Sequence, residues 1–221
     1  MSLWIKICAN TSLEDALLAV EAGADAVGFV FAPSPRRITA SQAAAITPCL
    51  PATVEKIGVF VHAPFDEIVD TVRACGLTGV QLHFDAEQNF PVRLRECFGT
   101  KFRILRVVHF GADTAADQFA EHTRNPHIDA ILIDSRSATA VGGTGMTFDW
   151  SLASKTIFQN AEACKRLVAA GGMNPANVAE AIGVLHPWGV DVASGVEAAP
   201  GRKDPAKVRE FVDRARGKSL S

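Results

Sequence analysis

The chain has 221 residues, of which 48% are hydrophobic and 21% charged, enough apolar material for one sizeable core and too much for a disordered chain. A formal net charge of −2 gives no general attraction to nucleic acid or anionic membrane, and no apolar run has the length of a bilayer span, so the expected partner is a small molecule. Five cysteines, odd in number and without a CxxC pair, speak against a disulfide framework and a structural zinc site, and the N-terminal residues read neither as a secretory nor as a transit segment, which points to the cytoplasm.

Trp4 to Cys8 reads as a first strand, and Ser12 with Asp15 opens a helix carrying Leu13, Ala16, Leu17 and Val20 on one face. Ala26 to Phe31 is a second strand. A proline-broken loop, Ala32 to Arg37, leads to Thr39 as cap of a short helix. Ile57 to Val61 is a third strand, followed by Phe65, Ile68, Val69 and Val72 at helical spacing. Val80 to His83 is a fourth, before a helix over Ala86 to Phe98. Phe102 to Val108 is the fifth strand, with a helix over Asp113 to Thr123, and Ala130 to Ile133 is the sixth. A glycine-rich loop then leads to a helical stretch beginning over Phe148 to Ser154. Arg166 to Ala170 is the seventh strand; Asn174-Pro175 marks a helix start leading to Val178, Ala181 and Ile182. Gly189 to Ala193 is the eighth strand, and the last helix carries Val208, Phe211 and Val212.

Eight strands alternating with helices, too apolar for one-sided exposure, predict an α/β fold, a single-domain (β/α)8 TIM barrel over residues 1–221 rather than an open doubly wound sheet. The chain shows no duplication of its halves, no linker and no low-complexity segment.

In such a barrel, function sits at the carboxyl ends of the strands. The period of two places Lys6 and Cys8 on one inward face. A neighbouring ammonium favours the thiolate, although a lone buried cysteine is more often an inert packing residue. Cys49, Cys75, Cys97 and Cys164 fall on helices or their ends and read as packing residues. Gln81 and His83 share a face of the fourth strand, where the histidine either orients substrate or satisfies a backbone group. Asp134 ends the sixth strand as acid, base or cap. Asp191 on the eighth is suited to hold a hydroxyl, tune a neighbour or pair with a lysine. Arg36 has a planar fork suited to a carboxylate, with Arg37 competing for that role. Gly142, Gly143 and Gly145 let the backbone approach a ligand closely, act as a lid, or simply form a surface loop. The loops at 169–174 and 193–197 set small residues side by side where barrels bind phosphate, tight rim turns being the alternative. The inventory of thiol, carboxylate, arginine fork and phosphate site, with no metal cluster or dinucleotide fingerprint, suggests proton transfer on a phosphosugar. That chemistry requires no cofactor.

Lys6-Ile7-Cys8, Gly23-Ala24-Asp25 with Gly28-Phe29-Val30-Phe31, Ser34-Pro35-Arg36, Gly58-Val59-Phe60, Gln81-Leu82-His83, Asp134, Gly142-Gly143-Thr144-Gly145 with Phe148-Asp149-Trp150, Gly171-Gly172, and Asp191 with Ser194-Gly195-Val196-Glu197 resemble the phosphoribosylanthranilate isomerases almost end to end. The resemblance implies an Amadori rearrangement in tryptophan biosynthesis, in a monomer or homodimer, with Cys8 as general base and Asp134 as general acid. It also implies that Arg36 holds the anthranilate carboxylate, and that Gly171, Gly172, Ser194 and Gly195 hold the phosphate beneath a loop through Gly143, itself a phosphate contact. Lys6, Gln81, His83 and Asp191 complete the expected substrate site. Ala9 and Asn10 stand where that family usually has glycine and an aliphatic residue, and Phe84 where it usually has glycine. The sister isomerase of histidine biosynthesis fits less well, since it carries aspartate at the position of Cys8 and two similar halves. A binding-only barrel is opposed by the presence of both Cys8 and Asp134.

Overall fold

The structure is a computed structural model that describes residues 3–84, 87, 89–110, 115–134, 154–158 and 165–218. Eight parallel strands close into a barrel: β1 (Trp4–Ile7), β2 (Ala26–Val30), β3 (Glu55–Phe60), β4 (Gly79–Leu82), β5 (Arg103–His109), β6 (Ala130–Asp134), β7 (Arg166–Ala170) and β8 (Gly189–Val192). Each pairs with its neighbour in sequence, and β8 returns to β1 with Lys6 opposite Asp191. This is the (β/α)8 architecture expected from the strand count.

Side chains alternate between two layers. Outward residues such as Ile5, Ile7, Val27, Phe29 and Val190 pack beneath the helices, while Trp4, Ala26, Ile57, Leu105, Leu132 and Val168 fill the barrel interior. Trp4 occupies the floor beside Gly189, where an added Cβ would lie 2.9 Å from the indole ring. Trp188 stacks on Trp4 with ring centroids 5.1 Å apart.

The helices are α1 (Leu13–Glu21), α2 (Ala40–Ile46), α3 (Phe65–Cys75), α4 (Phe90–Phe98), α5 (Ala115–Arg124), α6 (Val178–Leu185) and α7 (Pro205–Ala215), with a short helical turn at Ser154–Phe158. Ser12 caps α1 by accepting from the Asp15 amide, and Thr39 with Gln42 forms a reciprocal capping box on α2, as the sequence predicts. Among the described residues no helix is long and apolar enough to cross a membrane.

On α1 the expected face holds: Ala16 is buried, Leu13, Leu17 and Val20 are half-buried and pack against the core, and Leu18 and Ala19 are buried beside them. Three local expectations need correction. Asn174-Pro175 does not start α6. Asn174 instead builds a turn, its Oδ1 accepting from the Ala176 amide at 2.8 Å, and α6 begins after Asn177. The fourth helix starts at Phe90 rather than Ala86. Cys49 and Cys97 are exposed, so of the cysteines expected to pack only Cys75 is buried among those described. Cys164 and residues 148–153 of the helical start expected over Phe148 to Ser154 lie outside the described residues; Ser154 opens the helical turn.

Candidate active site

Lys6 and Cys8 both face the interior of β1's end, with Lys6 entirely buried and Cys8 nearly so. Gly28 on β2 makes their room: a Cβ there would come within 2.6 Å of Cys8 Sγ and 3.1 Å of Lys6 Cε. After Cys8 the backbone turns through Ala9 at φ +62°, the left-handed region that a Cβ disfavours. Asn10 braces that turn from a fully buried position, Nδ2 donating to Ile7 O at 2.8 Å and Gly28 O at 3.2 Å. Asn10 therefore caps the turn.

Lys6 Nζ donates to Asp191 Oδ1 at 2.8 Å. Burial alone would lower the lysine's pKa, but the Asp191 carboxylate and Cys8 raise it on balance, so it stays an ammonium. Burial pushes the Cys8 thiol up; Lys6 pulls the other way and only partly offsets burial and Asp191. The thiolate is less favoured than the neighbouring lysine alone suggests.

Three adjacent strand ends bring Gln81, His83, His109 and Asp134 together. His83 Nε2 lies 3.9 Å from Asp134 Oδ2, and its ring meets His109 edge-on with centroids 4.8 Å apart. Burial and His109 lower the pKa of His83, with Asp134 opposing, so the imidazole is neutral near pH 7. Gln81 is buried, and its Oε1 has no hydrogen-bond partner among the described residues. A buried amide acceptor of that kind suits a ligand hydroxyl. His109 was absent from the sequence expectations because the fifth strand was ended one residue early, at Val108; it pairs with Asp134 in the β5–β6 register. Phe84 points aside, packing edge-on against Phe90 with centroids 5.8 Å apart.

One cavity is lined by Cys8, Gln81, His83 and Asp134 together with Asp191 and the loops after β7 and β8, including Gly171, Gly172 and Ser194. The two loops are in intimate contact, since a Cβ on Gly195 would fall 1.8 Å from Met173 O. Gly171 and Gly172 have φ +80° and +63°, a pair of left-handed residues that only glycine adopts without strain. Asn177 secures that turn, Nδ2 donating to Gly172 O at 3.1 Å and Oδ1 accepting from Asn174 N at 2.8 Å. Gly143 lies outside the described residues. Lys6 does not reach the cavity wall and acts on it through Asp191 and Cys8.

Arg36 is held by Glu197, with Nε 2.9 Å from Oε1 and Nη2 2.7 Å from Oε2, whereas Arg37 is exposed. Glu197 belongs to a two-stranded hairpin, β9 (Glu197–Ala199) and β10 (Arg202–Lys203), that the sequence reading did not anticipate. Lys203 from β10 is buried and lies 3.4 Å from Glu197 Oε1. Burial would lift the Glu197 carboxyl, but Arg36 and Lys203 hold it below the usual carboxylate range. Lys203 pulls the Cys8 thiol down, against the larger effect of burial. The available signal for Lys203 was its position between Gly201 and the α7 cap Asp204, which reads only as a turn. Among the described residues no group of three or more His, Cys, Asp or Glu is disposed to hold a metal ion.

Fold and site together define a (β/α)8-barrel protein with a thiol, carboxylates and a histidine facing one cavity beside paired glycine loops, the arrangement of a barrel enzyme's strand-end site. The sequence model of the family described as N-(5'phosphoribosyl)anthranilate (PRA) isomerase matches residues 5–214. The chain is 45% identical to the N-(5'-phosphoribosyl)anthranilate isomerase of Pelobacter propionicus, over 94% of this chain and 93% of that one. It is 44% identical to that of Geobacter sulfurreducens, over 96% and 98%. Among solved structures, phosphoribosyl anthranilate isomerase from Thermotoga maritima superposes with a TM-score of 0.85 at 38% identity, covering 97% of this chain and 99% of that one. A phosphoribosyl anthranilate isomerase in complex with reduced 1-(o-carboxyphenylamino)-1-deoxyribulose 5-phosphate gives 0.82 at 36% identity, with the same coverage. The chain belongs to the phosphoribosylanthranilate isomerase family.

Proposed function

We propose that this chain, as one (β/α)8 domain, converts N-(5'-phosphoribosyl)anthranilate to 1-(o-carboxyphenylamino)-1-deoxyribulose 5-phosphate in tryptophan biosynthesis. The observation that carries the reading is that Cys8 and Asp134, from strands on different sides of the barrel, line one cavity with the β7 and β8 loops. Asp134 gives a proton to the furanose oxygen, which opens the ring to an iminium. Cys8, as thiolate, takes the proton from C2′, and the resulting enolamine tautomerises to the amino ketone. No atom is gained or lost, so an acid and a base suffice.

The other roles follow the family resemblance, and the cavity lining supports those of Gly171, Gly172, Ser194, Gln81, His83 and Asp191. Gly171, Gly172, Ser194 and Gly195 surround the phosphate, with Gly143 as a further phosphate contact. Gln81 accepts a ribose hydroxyl, neutral His83 lies beside Asp134, and Asp191 keeps Lys6 charged beneath Cys8. Arg36 takes the anthranilate carboxylate. The enzyme works in the cytoplasm, a setting consistent with free thiols at Cys8, Cys49, Cys75 and Cys97.

The test is loss of anthranilate-type fluorescence when the purified chain meets phosphoribosylanthranilate generated in the cuvette, corrected for spontaneous breakdown. Enzyme-dependent formation of the carboxyphenylamino-deoxyribulose phosphate supports the isomerase. Phosphate-induced thermal stabilisation without conversion would leave a barrel that only binds.

A further inference from the structure

We infer that Glu197 and Lys203 are positioning residues that fit the barrel mouth to a carboxylate-bearing substrate: Glu197 fixes the orientation of Arg36, and Lys203 restores the positive charge that Glu197 cancels. This rests on the proposed reading of Arg36 as the carboxylate contact. The Glu197 carboxylate spans Nε and Nη2 of Arg36. That leaves Nη1, which makes no hydrogen bond among the described residues, as the edge available to a ligand anion.

An arginine on a surface loop samples many rotamers, and a ligand that captures it must order it. Here Glu197 has already done so. A fork closed onto a single carboxylate is electrically neutral, however, and attracts a second anion poorly. Lys203 removes that defect. Its side chain has no exposed surface, and Nζ reaches both Glu197 Oε1 at 3.4 Å and Ala193 O at 3.2 Å. The trio of Arg36, Glu197 and Lys203 carries a net charge of about +1 when all three are ionised. Lys203 is thus a buried cation that cannot itself reach solvent yet keeps Arg36 attractive to an anion.

The hairpin bearing these groups is pinned on three sides. Thr11 Oγ1 donates to Gly201 O at 2.6 Å, the Lys203 amide donates to Asp15 Oδ1 at 3.2 Å, and Lys207 Nζ donates to Glu197 O at 2.9 Å. The anchors come from the β1–α1 segment and α7, so the hairpin fixes Glu197, and through it Arg36, relative to the β1–α1 end of the barrel. Two residues distant in sequence from Arg36 set what it can recognise.

The experiment measures calorimetric binding of two inhibitors, reduced carboxyphenylamino-deoxyribulose 5-phosphate and its analogue lacking the carboxylate, alongside turnover. Glu197→Gln and Lys203→Met are each expected to weaken the carboxylate-bearing inhibitor by roughly ten-fold or more while changing the other by less than about two-fold. The loss in turnover should fall on KM more than on kcat. In an Arg36→Met background, Glu197→Gln should add almost nothing to the discrimination, because its effect passes through Arg36. Equal losses for the two inhibitors, or a full additional loss in the Arg36→Met background, overturn the inference. If Lys203→Met does not fold, the Glu197 and Arg36 cycle decides alone. Absence of turnover by the unmodified enzyme sinks the isomerase reading, whereas turnover with undiscriminating losses sinks only the positioning role.

Discussion

Lys6 Nζ and Asp191 Oδ1 meet at 2.8 Å inside the barrel, side by side in the β1–β8 register, and Cys8 stands two residues further along the same face of β1. The pair is a charged layer between an apolar floor, set by Trp4, Ala26 and Ile57, and the cavity that Cys8 and Asp191 line. Charges at such depth survive only in pairs. Their arrangement places an ammonium against the thiol and a carboxylate at the cavity wall.

Breaking that layer from its two sides should therefore cost different amounts. Asp191→Ala strands an ammonium with no exposed surface, and the expected loss of stability is about 3–5 kcal/mol. Lys6→Met leaves a carboxylate that still reaches the cavity, so its loss should be the smaller. Urea unfolding of both variants checks the order; equal or reversed losses would show that the pair is not desolvated as its burial implies.

Cys8→Ala and Asp134→Asn are each expected to lower kcat by ~10²–10⁴-fold, the range for a placed proton-transfer group, with affinity for inorganic phosphate largely kept. Because burial raises the Cys8 thiol and the proposed base is its thiolate, kcat/KM should climb as pH rises. Lys6→Met removes the cation that offsets burial and should carry the ascending limb further to alkaline pH. A limb that does not move in that variant would assign the base elsewhere.

The sequence made the strands legible because β1 to β8 are short apolar runs, and it made the inward face of β1 legible because period two turns Lys6 and Cys8 inward together. The paired turns after β7 and β8 were readable from adjacent glycines. What it hid were contacts without a local signature. Arg36 and Glu197 are joined across the closure of the barrel, and Lys203 looks like a turn residue until its burial is seen. His109 was missed through a boundary one residue short. The Asn174-Pro175 pair misled because an Asx turn and a helix start use the same residue types.

Gly195→Ala should uncouple the two loops proposed to bind phosphate. The added Cβ would fall 1.8 Å from Met173 O, a backbone atom that cannot swing aside. The β7 and β8 loops must then separate, and affinity for phosphorylated ligands should drop by at least about ten-fold, equivalent to one charge-assisted hydrogen bond. Titration with inorganic phosphate followed by thermal shift reads this directly. Retained affinity would mean that the phosphate lies away from this contact.

Ala9→Gly is expected to stabilise the chain. At φ +62° the alanine Cβ costs roughly 1–2 kcal/mol, and glycine gives back about 0.5–1 kcal/mol of that in backbone entropy. The net gain is then about 0.5–1 kcal/mol, read as a higher Tm. Ala9 is buried, and Asn10 keeps its bonds to Ile7 and Gly28 in either variant, so the turn that follows Cys8 should be preserved. A lower Tm would show that the methyl group contributes more by packing than it costs in strain.

His122 sets an acid limit on stability. It is buried on α5, its Nε2 accepts from Arg106 Nε at 3.3 Å, and burial, with Arg106 and Lys165, lowers its pKa from 6.5 to about 4. The unfolded chain binds a proton that the native imidazole refuses, so this contribution is complete above about pH 6.5 and fades as the pH falls toward 4. Its size is about 3 kcal/mol at order of magnitude. His122→Gln keeps an acceptor for Arg106 but cannot titrate. Between pH 7 and pH 4 the unmodified chain should therefore lose up to about 3 kcal/mol more than the variant, as read by urea midpoints across that range. Parallel curves for the two proteins would mean that His122 carries its proton equally well in the folded and unfolded states.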